Sequence, residues 1–140
     1  MSFKYVYVLP ILCSIWFILT FITTYVISIY KKDVAPVFPY ISDTGTWSPQ
    51  SCIFGLMLNT GALLMVLIFY IRYRQVKYLL NKDTFKPSVK KLNQIALFLG
   101  ITAAFGVCVV GNFQESNVFL VHVLGAIVAF GFGSVYQCMQ

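Results

Sequence analysis

Four long apolar runs, each free of Asp, Glu, Lys and Arg, constrain this chain more than any other feature. They cover residues 5–30, 53–71, 92–113 and 118–139. Each is near or above the ~20 residues a helix needs to cross ~30 Å of hydrocarbon. With no water in that layer, a backbone must close its own hydrogen bonds, so helices are the expected form. A β-barrel would alternate polar and apolar residues, and these runs do not. The rest of the composition agrees. The 140 residues are 59% hydrophobic and 10% charged, against about 25% charged for an average soluble domain. The expected fold class is an all-α membrane protein with four transmembrane helices in one polytopic domain, 1–140.

The first run is longer than the ~7–15 residues of a signal-peptide core, and no small-x-small cleavage site follows it before Lys31. It reads as a retained span. Basic residues then set the orientation. The expected loop 72–91 carries Arg72, Arg74, Lys77, Lys82, Lys86, Lys90 and Lys91 against Asp83 alone, and Lys4 flanks the N-terminus on the same side. The opposite side has only Lys31 and Lys32. The positive-inside rule places the N-terminus and the 72–91 loop in the cytosol, and the 31–52 loop in a lumen or extracellular space. The 72–91 loop also holds Tyr73, Tyr78 and Phe85. Tethering between two spans argues against nucleic acid as its partner. Topology setting and attraction to anionic lipids of the bilayer are the readings that fit.

The loop 31–52 is turn-rich. Pro36, Pro39 and Pro49 discourage helix, and Ser42-Asp43-Thr44-Gly45 is turn chemistry. Tyr40 and Trp47 suit the headgroup level. A packed lid over the luminal helix ends accounts for this composition.

Its string ISDTGTWSPQSCIFG resembles the first luminal loop of the DNA-damage-regulated autophagy modulator (DRAM) family. Other segments fit in the same order: LN at 58–59, YIRYRQV at 70–76, GNFQE at 111–115, HVLGA at 122–126 and FGFGSVY at 130–136. The resemblance implies a polytopic protein of lysosomal or other endomembranes that promotes autophagy, acts through unidentified membrane or autophagy proteins, and has no enzymatic activity. It also implies six spans. Four runs in this chain are expected to be the first four, from a short isoform, a truncated gene model or a fragment.

Helices in lipid associate through close backbone contact and interhelical hydrogen bonds. Gly125, Ala129 and Gly133 recur every fourth residue in span four, as do Gly100, Ala104 and Cys108 in span three, with Gly111 next along; Gly55, Asn59 and Ala62 serve span two. A luminal polar cluster of Asp43, Asn59, Asn112, Glu115 and His122 is also expected. Asn59 lies about 9 Å and His122 about 6 Å from the luminal ends of their spans. A direct or water-bridged contact between them is the expectation. A sharper one is that His122, the only His, titrates in an acidic lumen near Glu115, because an ordinary imidazole changes charge near pH 6.5.

Catalytic chemistry is thin. One His and four acids make no metal cluster, and Cys13, Cys52, Cys108 and Cys138 form no C-x-x-C pair. Cys52 and Cys108 share a side and could meet, although buried free thiols fit better. No P-loop, nucleophile elbow or cofactor motif is present. Two functions remain: a non-enzymatic membrane modulator of autophagy, with helices sealed by small faces, or a lipid- or ion-handling protein with a polar luminal-side groove that Thr20, Thr23, Thr24 and Ser28 could line.

Overall fold

A computed structural model describes residues 6–82 and 87–140. It contains four helices long and apolar enough to cross a membrane. Helix α1 spans Val8–Tyr30, α2 Gln50–Lys82, α3 Pro87–Asn112 and α4 Phe119–Met139. A 3-10 turn, Asp43–Gly45, lies between α1 and α2. Within α4, residues Val128–Phe132 form a π-helical turn. No strand occurs among the described residues.

Local sequence explains the ends. Pro10 falls in the first turn of α1, where backbone N–H groups lack intrahelical acceptors anyway. Pro87 opens α3 for the same reason. The C-terminus of α1 closes through two reverse bonds, Lys32 N–H to Ile29 O at 2.9 Å and Asp33 N–H to Ser28 O at 2.9 Å. This is the Schellman arrangement, with Lys32 at φ 62° in the left-handed position that glycine usually fills.

The basic segment 72–91 differs from the expected loop. Arg72, Arg74 and Lys77 continue α2, and Lys90 and Lys91 lie in the first turns of α3. Lys4, Asp83, Phe85 and Lys86 lie outside the described residues, and so does the side chain of Lys82. The physical reason is simple. Apolarity stops at Ile71, but nothing in RYRQVKYLLNK breaks a helix, and Arg, Gln, Leu and Lys are good helix formers. The result is a helix of 33 residues, about 50 Å long, against ~30 Å of hydrocarbon.

The helices pack in chain order, α1 on α2, α2 on α3 and α3 on α4. The indole N–H of Trp16 ties α1 to α2 by donating to Met57 O at 2.8 Å. Outward faces are covered with exposed apolar side chains, such as Ile11, Ile15, Ile18 and Ile22 on α1 and Phe119, Leu124 and Phe130 on α4. Such a surface suits lipid. Close approach depends on glycine at two crossings. A Cβ on Gly55 would come within 2.9 Å of Gly111 O, and one on Gly106 within 2.5 Å of Ala129 N and 2.8 Å of Gly125 O. In both cases backbone meets backbone, which cannot yield as a side chain would.

Of the other small residues singled out above, Gly100 sits under the Phe69 and Tyr136 rings, and Gly125 lies against Val109. Ala104 is buried. Gly133 is looser, since a Cβ there would meet only Ala103, at 3.8 Å. Gly106, the tightest of the α3–α4 contacts, lies off the 100-104-108 series, on the face turned toward α4.

Candidate functional site

The polar groups converge at the end of the bundle that carries loop 31–49. Thr20, Thr24 and Ser28 recur every fourth residue of α1, so they form one stripe, and all three are fully buried. Thr20 and Thr24 return their hydroxyls to the helix, at Trp16 O (2.8 Å) and Thr20 O (3.1 Å). Thr24 Oγ1 also meets Thr44 Oγ1 at 3.1 Å, and the Ser28 hydroxyl donates to Thr44 O at 2.8 Å. The 3-10 turn is thereby stitched onto α1. Packing completes the joint, because the Phe54 ring of α2 lies where a Cβ on Gly45 would be, 2.5 Å from Phe54 Cγ.

Gln50, the first residue of α2, is fully buried at the centre of this joint. Its Nε2 donates to Ser28 Oγ at 3.2 Å and to Asp33 Oδ2. Its Oε1 has no protein partner. An isolated buried amide would cost a few kcal/mol, and here two of its donor bonds offset most of that. Two further bonds shape the loop rim: Lys31 Nζ donates to Ser48 O at 2.7 Å, and Tyr25 OH to Pro36 O at 2.8 Å. Ser48-Pro49 is a cis peptide.

The luminal cluster read from sequence divides into separate pairs. Asn59 and Asn112 exchange amide bonds, Asn112 Nδ2 to Asn59 Oδ1 at 2.8 Å and Asn59 Nδ2 to Asn112 Oδ1 at 3.2 Å. Asn112 also donates to Cys108 O at 2.7 Å. The expected Asn59–His122 contact is not formed. Asn59 faces α3 across the Gly55–Gly111 crossing, and His122 belongs to α4, which packs on α3. His122, buried, places Nδ1 2.7 Å from Phe113 O. A carbonyl only accepts, so Nδ1 carries the proton.

Glu115 is likewise engaged elsewhere. It accepts the Ser42 hydroxyl, which fastens the α3–α4 turn to the loop, and it is not hydrogen-bonded to His122. Asp43 lines an open cleft of about 410 Å³ together with Asp33, Tyr40, Trp47 and Ser116. All four cysteines are free, and only Cys13 is buried, while Cys52 and Cys138 are exposed. No group of three or more His, Cys, Asp or Glu among the described residues could hold a metal ion.

Sequence reasoning missed Thr44 and Gln50. The only signal was indirect: a stripe of hydroxyls in a lipid-spanning helix needs something to cover it. At the opposite end, Asn93 makes a smaller joint, donating to Tyr73 O at 3.1 Å between α3 and α2. Apart from Thr20 at the middle of α1, the buried polar groups among the described residues gather at the two ends of the bundle, and apolar and small residues such as Leu58, Ala62, Ala96, Ala103 and Ala104 fill the rest of the core.

Comparison with known proteins gives the family. DNA damage-regulated autophagy modulator protein 2 of Rattus norvegicus is 46% identical over 132 residues, covering 94% of this chain and 48% of the relative. DNA damage-regulated autophagy modulator protein 1 of Homo sapiens is 41% identical over 131 residues, covering 94% and 54%. Modulator of macroautophagy TMEM150B-B of Xenopus laevis is 42% identical over 134 residues, covering 94% and 55%. The chain thus spans about half the length of the curated relatives it matches. No solved structure matches it. The model of the Frag1/DRAM/Sfk1/Cwh43P N-terminal domain matches residues 5–140, and the chain belongs to that family.

Proposed function

We propose that this protein is a non-enzymatic, multi-pass membrane protein of lysosomal or related endomembranes that promotes autophagy through other membrane or autophagy proteins. One observation carries the reading: the similarity to named autophagy modulators runs through 94% of the chain at 41–46% identity. The orientation that goes with it has the basic end in the cytosol and the Thr44–Gln50 joint in the lumen. The distribution of charge supports this, with Arg72, Arg74, Lys77, Lys90 and Lys91 at one end and Lys31 and Lys32 at the other.

The competing reading, a lipid or ion handler, needs a continuous polar track across the bilayer. Thr24 and Ser28 are instead covered by Thr44 and Gln50, Thr20 returns its hydroxyl to Trp16 O of its own helix, and the neighbouring core is made of Gly, Ala and Leu. That arrangement favours the modulator.

The test is autophagic flux in cells lacking the endogenous protein, with and without this chain re-expressed, together with its co-localisation with lysosomal markers. Restored flux from a lysosomal pool supports the reading. Unchanged flux with correct membrane insertion refutes it. A tag at residue 45 that antibody reaches after selective permeabilisation of the plasma membrane would reverse the orientation.

A further inference from the structure

We propose that the helical hairpin formed by the end of α2 and the start of α3 is an anionic-lipid collar, which concentrates acidic phospholipids around the bundle. Depth is the first argument. The apolar run of α2 ends at Ile71, so Arg72, Arg74 and Lys77 lie about 2–9 Å further along the axis. That covers the headgroup layer, about 5–7.5 Å on each side of ~30 Å of hydrocarbon, and reaches its outer edge at Lys77. Lys90 and Lys91 immediately precede the apolar run that begins at Leu92, so they enter the same layer from α3.

The second argument is that these charges are held rather than loose. Arg74 donates to Tyr70 OH at 3.1 Å and lies 5.9 Å from the centre of that ring. Lys77 lies 5.8 Å from the Tyr73 ring centre. The aromatic rings mark the interface, and each carries a cation on its headgroup side. Asn93 bonded to Tyr73 O fixes the register of the two helices. In that antiparallel register Arg74 and Lys77 fall within about a turn of Lys90 and Lys91.

The third argument selects the partner. Arg74 and Lys77 are about 60° apart around α2, and Arg72 points elsewhere, toward Gln140 at the end of α4, with Nε donating to Oε1 at 3.1 Å. Arg72, Arg74, Lys77, Lys90 and Lys91 are all exposed, and no Asp or Glu occurs among the described residues of the hairpin. Cations spread around a girth at one depth do not make a pocket for a single ligand. They match a plane of negative charge, which is a leaflet rich in acidic headgroups.

The experiment uses the full chain in phosphatidylcholine vesicles doped with spin-labelled phosphatidylserine or spin-labelled phosphatidylcholine. The protein-contacting fraction of each probe is measured by electron paramagnetic resonance. Phosphatidylserine should be enriched about fivefold over phosphatidylcholine at low salt, and less as salt rises. The variant Arg74→Gln/Lys77→Gln/Lys90→Gln/Lys91→Gln should lose most of that preference. Lys31→Gln/Lys32→Gln, at the other end of the bundle, should keep it and so shows whether the position of the removed charge matters. Equal contact of the two probes, a preference that survives the fourfold variant, or one lost equally in the Lys31/Lys32 variant each overturns the proposal. Far-ultraviolet circular dichroism of every variant in the same vesicles establishes that the helices are intact.

Discussion

Ser28 of α1 donates its hydroxyl proton to the carbonyl of Thr44 across 2.8 Å, with both residues shut off from solvent and lipid. The Ser28 hydroxyl oxygen in turn accepts from Gln50 Nε2 at 3.2 Å. One hydroxyl therefore joins a membrane helix, a loop turn and the start of the next helix.

Ser28→Ala should destabilise the fold by about 1–3 kcal/mol, because it leaves the Thr44 carbonyl and one Gln50 donor buried without that partner. Thermal unfolding in detergent would measure the loss. Limited proteolysis should show faster cleavage within 31–49, and unchanged cleavage there would refute the role assigned to the joint.

The Asn59–Asn112 exchange should appear as coupling. A double-mutant cycle with Asn59→Leu and Asn112→Leu is expected to give about 0.6–1.7 kcal/mol of interaction energy, the range for hydrogen bonds between membrane helices. His122→Leu combined with Asn59→Leu should be additive, because those two side chains have separate partners.

Gly106→Ala should cost more than Gly133→Ala. The added Cβ at Gly106 would stand 2.5 Å from a backbone nitrogen of α4, whereas at Gly133 the nearest neighbour is 3.8 Å away. Overpacking of this kind costs about 1–3 kcal/mol. Denaturation in detergent, compared between the two variants, decides it; equal stability would mean that α4 shifts freely on α3.

Lys32→Gly is expected to stabilise the protein, by about 1 kcal/mol or less. Lys32 holds a left-handed backbone that penalises a Cβ, and that relief is partly offset by the greater freedom of glycine in the unfolded chain. A raised unfolding midpoint checks it. A lowered one would mean that the lysine side chain contributes more than its backbone costs.

The four spans were legible because hydrocarbon thickness imposes a length, and runs such as 5–30 and 92–113 meet it without a charge. The end of α2 was not, since hydropathy marks where lipid stops and hydrogen bonding continues to Lys82 regardless. Asn59 and His122 illustrate a different limit. Sequence position assigns each a depth along its span, but depth says nothing about direction around the helix axis, and the Gly55–Gly111 crossing turns Asn59 toward Asn112. Thr44 and Gln50 were illegible for a third reason. Their burial is created by a loop folding back on α1, and no local pattern in a polar loop announces which hydroxyl it will cover.

The widened turn Val128–Phe132 has a consequence for everything after it. A plain α-helix advances 100° per residue, and a π-turn inserts extra backbone that resets this phase. Tyr136 reaches the Phe69 ring, at a centroid distance of 4.4 Å, from beyond that reset. Wound as plain α-helix, the same residues would leave the fourth span as greasy, yet Tyr136 would stand roughly a quarter of a revolution from its present bearing. The azimuth of the final helical segment is thus written into an irregularity of five residues.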